Sequence, residues 1–469
     1  MDMKNLKLLI RVCVVFLLLA CIFKYAGGES LDYKYVSSGM PQMTGSLEEL
    51  TESMVVRQDF IVKSETLGVI DLPISTYGRE NKGLLQLELT DSEGNIIGSC
   101  SKNIKDLSDT EPLRWIIEPE IENTKGKIYR LMVTTTSESG SAPTVLYSSI
   151  GAGNFLVNDE LRTGVICFDY EGKDYFLFGA YYWYFVLVGL LFILVYAFWS
   201  SFCKKRGKIT LGVHLRTVWK RYEFLIKQMI TRDFKTKYKR SVLGYLWSFL
   251  NPLLTMMVQY IVFSQIFRSS IDNFPVYLLS GIILFGFFTE AVGQGLTAIV
   301  SNAPLITKVY VPKYIYPVTK VASCSINLII SIIPLLIVTV LTGSKITKAI
   351  FILPFVVICL LLFSIGMSLL LSTTMVFFRD TQYLWGIVSL AWTYATPLFY
   401  PENIIPDRFR FIQTLNPMYH YIRFIRTVLM EGISPEPMSY LVCGFTAILM
   451  CIVGAAVFKK FQDRFVLYV

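Results

Sequence analysis

The chain has 469 residues, 53% of them hydrophobic and only 17% charged, with a formal net charge of +9. Soluble domains carry about 25% charged residues, so a soluble globular protein is excluded and a polytopic membrane protein is implied. The basic residues flank apolar stretches, which makes membrane orientation and anionic lipid the source of the positive balance and argues against a nucleic-acid partner.

Residues 1–28 open with Lys4, Lys7 and Arg11 before the apolar core Val12–Phe23. That core is short against the ~20 residues a span requires. Leu17–Cys21, "LLLAC", resembles a lipobox in which Cys21 would be lipidated after cleavage. The other reading is an uncleaved signal anchor, with Lys24 snorkelling and Tyr25–Gly28 lengthening the span. Both place the next block outside.

That block, 29–175, is polar and carries more acidic than basic residues. From about Val55 to Ser149 its pattern is period-two. "GLLQLELTDSEGNIIGSC" alternates Leu85, Leu87 and Leu89 with polar neighbours, breaks at Asp91–Asn95 and resumes at Ile96. "KIYRLMVTTTS" repeats the pattern with Ile128, Leu131 and Val133, and Asp59, Phe60 and Trp115 read as core or edge elements. Half-buried strands joined by turns at this spacing predict an extracytoplasmic all-β, sandwich-like domain. Sugar binding and a spacer role both fit such a domain. Cys100 and Cys167 are its only two cysteines, and a disulfide between them is one option that sequence leaves open. Cys324, Cys359, Cys443 and Cys451 lie in apolar stretches and read as small core residues.

Further apolar stretches are Phe176–Phe202, Leu243–Phe267, Phe274–Val300, Tyr316–Leu341, Ala349–Phe378, Leu384–Tyr400 and Tyr440–Phe458. With the first, they predict seven or eight spans: one at 176–203 and the remainder within 241–469. Segment 204–240 carries thirteen basic residues against Glu223 and Asp233, so it is cytoplasmic. Within it Leu215, Val218, Trp219, Tyr222, Leu225, Ile226 and Met229 follow helical spacing, which predicts an amphipathic helix in the interface plane. Counting spans from there makes 302–317 cytoplasmic.

Five motifs appear in order. They are "RDFKTKYKRSVLGYLWSFLNPLL" (Arg232–Leu254), "YLLSGIILFGFF", "NAPLITKVYVPKYIYPV" (Asn302–Val318), "VFFRDTQYL" (Val376–Leu384), and "TPLFYP" with "LNPMYHYIRFIR". Together they resemble the ABC-2-type permeases that export polysaccharides, O-antigen and teichoic acids. The resemblance covers about 210–469 and implies a six-helix core. It is silent on 1–200, an added N-terminal span and external domain.

The residues themselves give 306–317 a shape. Pro304 can start a helical turn, and Pro312 disfavours helix at Val311. One reading is a basic loop that anchors span ends. The resemblance implies instead a docking knob for a separate ATPase subunit, made of Leu305, Lys308, Tyr310, Val311, Pro312 and Lys313. "RGKIT" at Arg206–Thr210 lacks Walker A spacing, so ATP and Mg would sit on the partner and this chain would carry no cofactor. The resemblance further implies a homodimeric permease with two ATPases, the polymer passing at the dimer interface.

Glu290 and Gln294 lie in an apolar span, where a carboxylate faces a cavity or a partner. They either border the translocation path or form a paired contact. Gly286, Gly293 and Gly295 would let a neighbouring helix approach. Arg379 and Asp380 sit at a cytoplasmic span end, where they could cap helices. After Tyr400, the resemblance implies short re-entrant helices at the external exit. Trp392, Tyr394, Tyr400, Asn416, Pro417, Tyr419 and Tyr421 would present faces to passing sugars, or form an ordinary aromatic belt. The reading is the membrane subunit of an ABC exporter for a lipid-linked polysaccharide or teichoic-acid-like polymer. Alternatives are a membrane glycosyltransferase or ligase, and an ABC-2 drug or lipid exporter. No paired-carboxylate spacing supports the enzyme.

Overall fold

The structure, a computed structural model, describes residues 3–150, 153–206, 210–238, 243–267, 271, 273–308, 311–344 and 346–468. It divides into two compact units, Met1–Leu31 with Tyr181–Val469, and Asp32–Ala180.

The Asp32–Ala180 unit is antiparallel β. Its strands are β1 (Tyr33–Ser37), β2 (Gly45–Ser46), β3 (Val56–Ile61), β4 (Thr66–Leu72), β5 (Ile74–Ser75), β6 (Leu84–Thr90), β7 (Ile96–Asn103), β8 (Leu113–Glu122), β9 (Ile128–Thr135), β10 (Thr144–Ser148), β11 (Asn154–Val157), β12 (Glu160–Thr163), β13 (Val165–Ile166) and β14 (Asp169–Tyr175). One sheet has the order β1-β14-β4-β8, and a larger one β12-β11-β3-β9-β6-β7. A small one runs β13-β10-β2, with β5 also on β10. Leu85, Leu87 and Leu89 of β6 are buried with Leu67, Ile70 and Trp115, so the two main sheets share one core. The period-two rule holds with a shift of one in β9. Tyr129, Leu131 and Val133 point inward, and Ile128 is 49% exposed. A strand's inward face holds residues two apart, and Ile128 has the wrong parity for Leu131. Cys100 on β7 and buried Cys167 are both free thiols, so the disulfide option is not taken. Burial pushes both thiols above their ordinary pKa.

The helices are α1 (Met3–Gly27), then α2 (Leu177–Ala180), one turn closing the β unit, α3 (Tyr182–Lys205), α4 (Leu211–Tyr238), α5 (Leu246–Phe267), α6 (Phe274–Ser301), α7 (Ala303–Lys308), α8 (Ile315–Leu341), α9 (Leu353–Phe377), α10 (Thr381–Ala395), α11 (Arg410–Leu415), α12 (Pro417–Arg426), α13 (Pro437–Phe461) and α14 (Phe465–Tyr468). Among the described residues seven segments are long and apolar enough to cross a membrane, in α1, α3, α5, α6, α8, α9 and α13. The stretch Leu384–Tyr400 is not an eighth. Its helix α10 has 15 residues, about 22 Å at 1.5 Å per residue, against a ~30 Å hydrocarbon core. Pro397 and Pro401 prevent its extension.

Helix α1 continues unbroken through Cys21. The Tyr182 hydroxyl donates to the Ala20 carbonyl at 2.6 Å, and the Phe23 ring meets those of Tyr182 and Tyr440. Val218, Tyr222, Leu225, Ile226 and Met229 of α4 pack with Ala298, Ile299, Tyr316, Leu369 and Phe458, at the cytoplasmic ends of four spans. The apolar stripe predicted from spacing is thus largely covered by protein, and Trp219 is exposed. Of the four glycines in α6, Gly295 is the most tightly pressed, since a Cβ there would lie 1.7 Å from Ser368 Oγ of α9, and Gly281 is the next, 3.2 Å from Arg426. A closer crossing is formed by Gly366 of α9 and Gly454 of α13, where a Cβ on Gly454 would meet the Gly366 carbonyl oxygen at 2.1 Å. Small residues allow such backbone approach where apolar burial alone gives helices no drive to associate.

Candidate functional site: cleft, outer lock and cytoplasmic turn

Helix α6 carries Glu290 and Gln294 four residues apart, hence on one face. Glu290 Oε1 accepts from Lys237 Nζ at 2.6 Å and Gln294 Nε2 at 2.9 Å. Lys237 lies in the last turn of α4. One turn earlier, Asp233 Oδ2 lies 2.8 Å from Lys320 Nζ of α8. These groups line two adjoining hollows of about 430 and 290 Å³, which share Lys237, Glu290, Cys324 and Asn327. Signs alternate along the cleft wall, so its field is strong locally and nearly balanced overall. Glu290 and Gln294 therefore line a hollow, and Glu290 is also paired with Lys237.

The cleft also repairs a backbone defect. Pro252 sits inside α5, and proline leaves the carbonyl four residues earlier without its helical donor. That carbonyl belongs to Ser248, and Ser331 Oγ of α8 donates to it at 3.0 Å. In a membrane such orphaned groups must find an internal partner. The Ser248 hydroxyl in turn donates to Asn327 Oδ1 at 3.2 Å. Asp233, Lys237, Lys320, Asn327 and Ser331 were not singled out by sequence. One signal was present: Asp233 is one of two acids in a basic stretch, one turn from Lys237.

Near the start of α6 lies a second assembly. The Arg426 side chain at the end of α12 is buried and donates to the carbonyls of Pro397 (2.8 Å), Tyr277 (3.1 Å) and Leu398 (3.2 Å). Its guanidinium carbon stands 3.3 Å from the centre of the Tyr277 ring. The Tyr277 hydroxyl donates to the carbonyls of Pro397 and Tyr400. Arg426 and Tyr277 thus lock 397–400 between α6 and α12. Nothing in the spacing distinguished Arg426 from Arg423, because its partners are backbone carbonyls brought from elsewhere in the chain.

The gate residues divide. Asn416 caps α12, accepting from the Met418 and Tyr419 amides. It also accepts from Trp392 Nε1 at 2.7 Å and donates to the Thr396 hydroxyl at 2.8 Å. Pro417 is the first residue of α12. Trp392 packs edge-on against Phe288 and Phe363. Tyr421 is fully buried, its hydroxyl at Thr446 Oγ1, 2.9 Å. The Tyr419 hydroxyl donates to Glu402 Oε2 at 2.7 Å and accepts from Arg423 at 3.1 Å. Tyr394 is exposed, with its carbonyl accepting from the half-buried Tyr400. Of the set, Tyr394 alone is exposed, Trp392 and Tyr400 are half-buried, and Asn416, Tyr419 and Tyr421 are buried.

At the other end of α6 the chain turns at Asn302 into α7. Leu305 and Lys308 are exposed on α7, and Ile306 is buried beneath them. Pro304 sits in the first turn, helix is described through Lys308, and Val311 and Pro312 are non-helical, as the two prolines predict. Tyr310 lies outside the described residues. Val311 and Pro312 are half-buried, and Val311 packs on the core under α4. Lys313 Nζ donates to the Gln462 carbonyl at 2.6 Å, tying the turn to the end of α13. Arg379 and Asp380 are exposed between α9 and α10. Asp380 holds the N-cap position of α10, but its side chain accepts no capping bond. Among the described residues no cluster of His, Cys, Asp or Glu could hold a metal ion.

The ABC-2 type transporter family matches residues 224–430, which hold the cleft, the lock and the turn. The chain is 32% identical over 248 residues to the O-antigen export system permease protein RfbA of Klebsiella pneumoniae, covering 52% of this chain and 95% of that protein. It is 28% identical over 246 residues to RfbA of Myxococcus xanthus, covering 52% and 95%. With the polysialic acid transport protein KpsM of Escherichia coli the figures are 23% over 243 residues, 51% and 93%. These relatives are matched nearly end to end, so almost half of this chain has no counterpart in them.

Proposed function

This chain belongs to the ABC-2 type transporter family, as a multi-pass plasma-membrane protein akin to polysaccharide-export permeases, and from that we propose that it is the membrane subunit of an exporter for a lipid-linked cell-surface polysaccharide or teichoic-acid-like polymer. A separate ATPase would bind ATP and Mg, two copies of each subunit would form the complex, and this chain would carry out no covalent chemistry. The observation that carries the reading is the placement of three features on one helix. Helix α6 begins at the Tyr277–Arg426 lock, bears Glu290 in the cleft, and ends in the α7 turn. It is also the most buried span. A well-packed helix moves as a unit, so a push on exposed Leu305 and Lys308 would reach both the cleft and the lock.

In this mechanism the ATPase engages α7. Movement of α6 then separates Glu290 from Lys237, freeing two charges to face a polar head or sugar. The outer segment 397–400 follows when α6 shifts Tyr277. The test is co-purification of the ATPase with wild type and with Leu305→Asp/Lys308→Glu, alongside surface polymer measured by lectin binding. Loss of ATPase and polymer together supports the reading. Retention of the ATPase with normal export removes α7 from the coupling role. Glu290→Gln should keep the ATPase and lower surface polymer; unchanged polymer would remove Glu290 from the path.

A further inference from the structure

In the Asp32–Ala180 unit, the outward face of the sheet β1-β14-β4-β8 carries Tyr33 and Tyr35 of the edge strand β1 beside Tyr175 of β14. None of them falls within the family match at 224–430. We propose that this face binds a neutral, hydroxyl-rich glycan, with Tyr35 and Tyr175 stacking on sugar rings and Arg114 and Glu171 bonding sugar hydroxyls. The proposal rests on the export reading above and narrows it to an uncharged polymer.

Strand register places the groups. Tyr33 pairs with Tyr175, Tyr35 with Lys173 and Ser37 with Glu171. Alternate residues of both strands therefore share the face opposite the buried Tyr170. Tyr33 is half-buried and props the other two rings edge-on, at 5.4 Å and 88° for Tyr35 and 6.0 Å and 76° for Tyr175. Lys173 Nζ stands 4.9 Å from the centre of the Tyr33 ring and is held by Glu120 Oε1 at 2.6 Å. Tyr35 remains 65% exposed and Tyr175 50%. They are diagonal neighbours, about 7–8 Å apart at their bases, which leaves each ring its own contact with a chain of sugars. An aromatic side chain offers a large contact at low entropic cost. Its face is apolar and electron-rich, which suits the C–H side of a pyranose.

Charge decides which glycan. Along this face the carboxylates of Asp71, Glu120, Asp169 and Glu171 stand against the cations of Arg114 and Lys173, four against two. Both cations are already paired, Lys173 with Glu120, and Arg114 with Glu171 at 2.9 Å and Asp71 at 3.5 Å. Asp169 accepts from the hydroxyls of Ser37 and Ser38 and the Gly39 amide, but its charge remains. An anionic polymer would meet net repulsion here. Sugar hydroxyls both donate and accept, so they suit a mixed set of carboxylates and guanidinium. Arg114 is exposed and has N–H groups beyond those facing its two partners, and the partly exposed Glu171 has further lone pairs. The acidic excess also opposes seating the rings on an anionic lipid surface.

The test uses full-length protein in nanodiscs, with saturation-transfer NMR against neutral gluco-, galacto- and manno-oligosaccharides, and oligomers of sialic acid and of glycerol phosphate as anionic probes. At least one neutral series should bind, and the anionic probes should bind more weakly. Tyr35→Ala/Tyr175→Ala should weaken binding at least about tenfold, the scale of losing one dominant contact. Tyr35→Phe/Tyr175→Phe keeps the ring faces and should retain most of it. Hydroxyl-radical labelling of Tyr35 and Tyr175 should fall when the glycan is added. No binding by any neutral series, equal binding by the anionic probes, or binding unchanged in the alanine variant overturns the proposal. Protection of both tyrosines by phospholipid nanodiscs relative to detergent, without glycan, would assign the rings to the membrane surface and overturn it as well. Should the double alanine variant not be monodisperse, Tyr35→Ala on the edge strand decides alone. Surface polymer is scored separately: normal polymer in cells lacking this chain would refute the export reading and leave the binding result standing.

Discussion

Replacing Arg426 by Met tests whether the outer lock is structural. The side chain donates to three carbonyls, but their dependence on it differs. The Pro397 carbonyl keeps the Tyr277 hydroxyl at 3.1 Å. The Tyr277 carbonyl keeps the Ser280 hydroxyl at 2.9 Å. The Leu398 carbonyl loses Arg426 without such a replacement. One orphaned buried carbonyl costs about 1–3 kcal/mol, and loss of a desolvated cation–π contact adds about 1–2 kcal/mol. Relief from burying a charge offsets part of this. The expected net destabilisation is about 2 kcal/mol, or about 4–8 °C in thermal midpoint at the scaling of 150–250-residue domains. Arg426→Lys should be at least as damaging. It keeps the buried charge, but one ammonium cannot reproduce the planar fork or lie flat on Tyr277. The assay is thermal unfolding of detergent-purified protein followed by fluorescence-detected size exclusion. A midpoint for Arg426→Met within about 1 °C of wild type, or full rescue by Lys, would refute the reasoning; the first would mean that the charge costs as much as its bonds return.

Gly454→Val should disrupt the α9–α13 crossing, because the Gly366 carbonyl is backbone and cannot give way at 2.1 Å; overpacking of about 1–3 kcal/mol or more should appear as loss of the monodisperse peak. In the external unit, alkylation without reduction should modify Cys100 in the native protein and both Cys100 and Cys167 after unfolding. A mass two protons short, with neither labelled, would show the disulfide instead. Asp109 accepts from the Thr76 and Gly78 amides, which holds its carboxyl below the ordinary range. Its folded pKa is depressed, so its contribution is present above the unfolded value of about 3.9 and is lost as pH falls through the lower folded value. Wild type should therefore exceed Asp109→Asn in resistance to pulse proteolysis at about pH 6, with the difference shrinking at acid pH. A difference that does not change with pH would count against the carboxylate.

Several features are legible in the amino-acid sequence. Spans follow from apolar length, because no other arrangement satisfies a backbone in lipid. Charge gives their orientation, and period-two alternation gives the external sheets. Pro304 and Pro312 bound α7 through covalent restrictions that act locally. The aromatic, proline-marked segment 392–421 is legible as a region but not by role, because Trp392, Asn416 and Tyr421 are polar or aromatic both in a path and in a packed core. Only their neighbours distinguish the two.

What the chain determines by itself is thus whatever depends on one segment and its solvent: length, hydrophobicity, charge and local backbone restriction. Tertiary structure alone decided the pairing of Lys237 with Glu290, the repair of Ser248 by Ser331, and the choice of Arg426 over Arg423. It also decided that Gly295 is pressed by a neighbouring helix while Gly286 faces open space. Each joins residues tens to hundreds of positions apart, and the physical reason is the same throughout. A buried polar group is specified by the partner that compensates it, and that partner's identity is written in no local pattern.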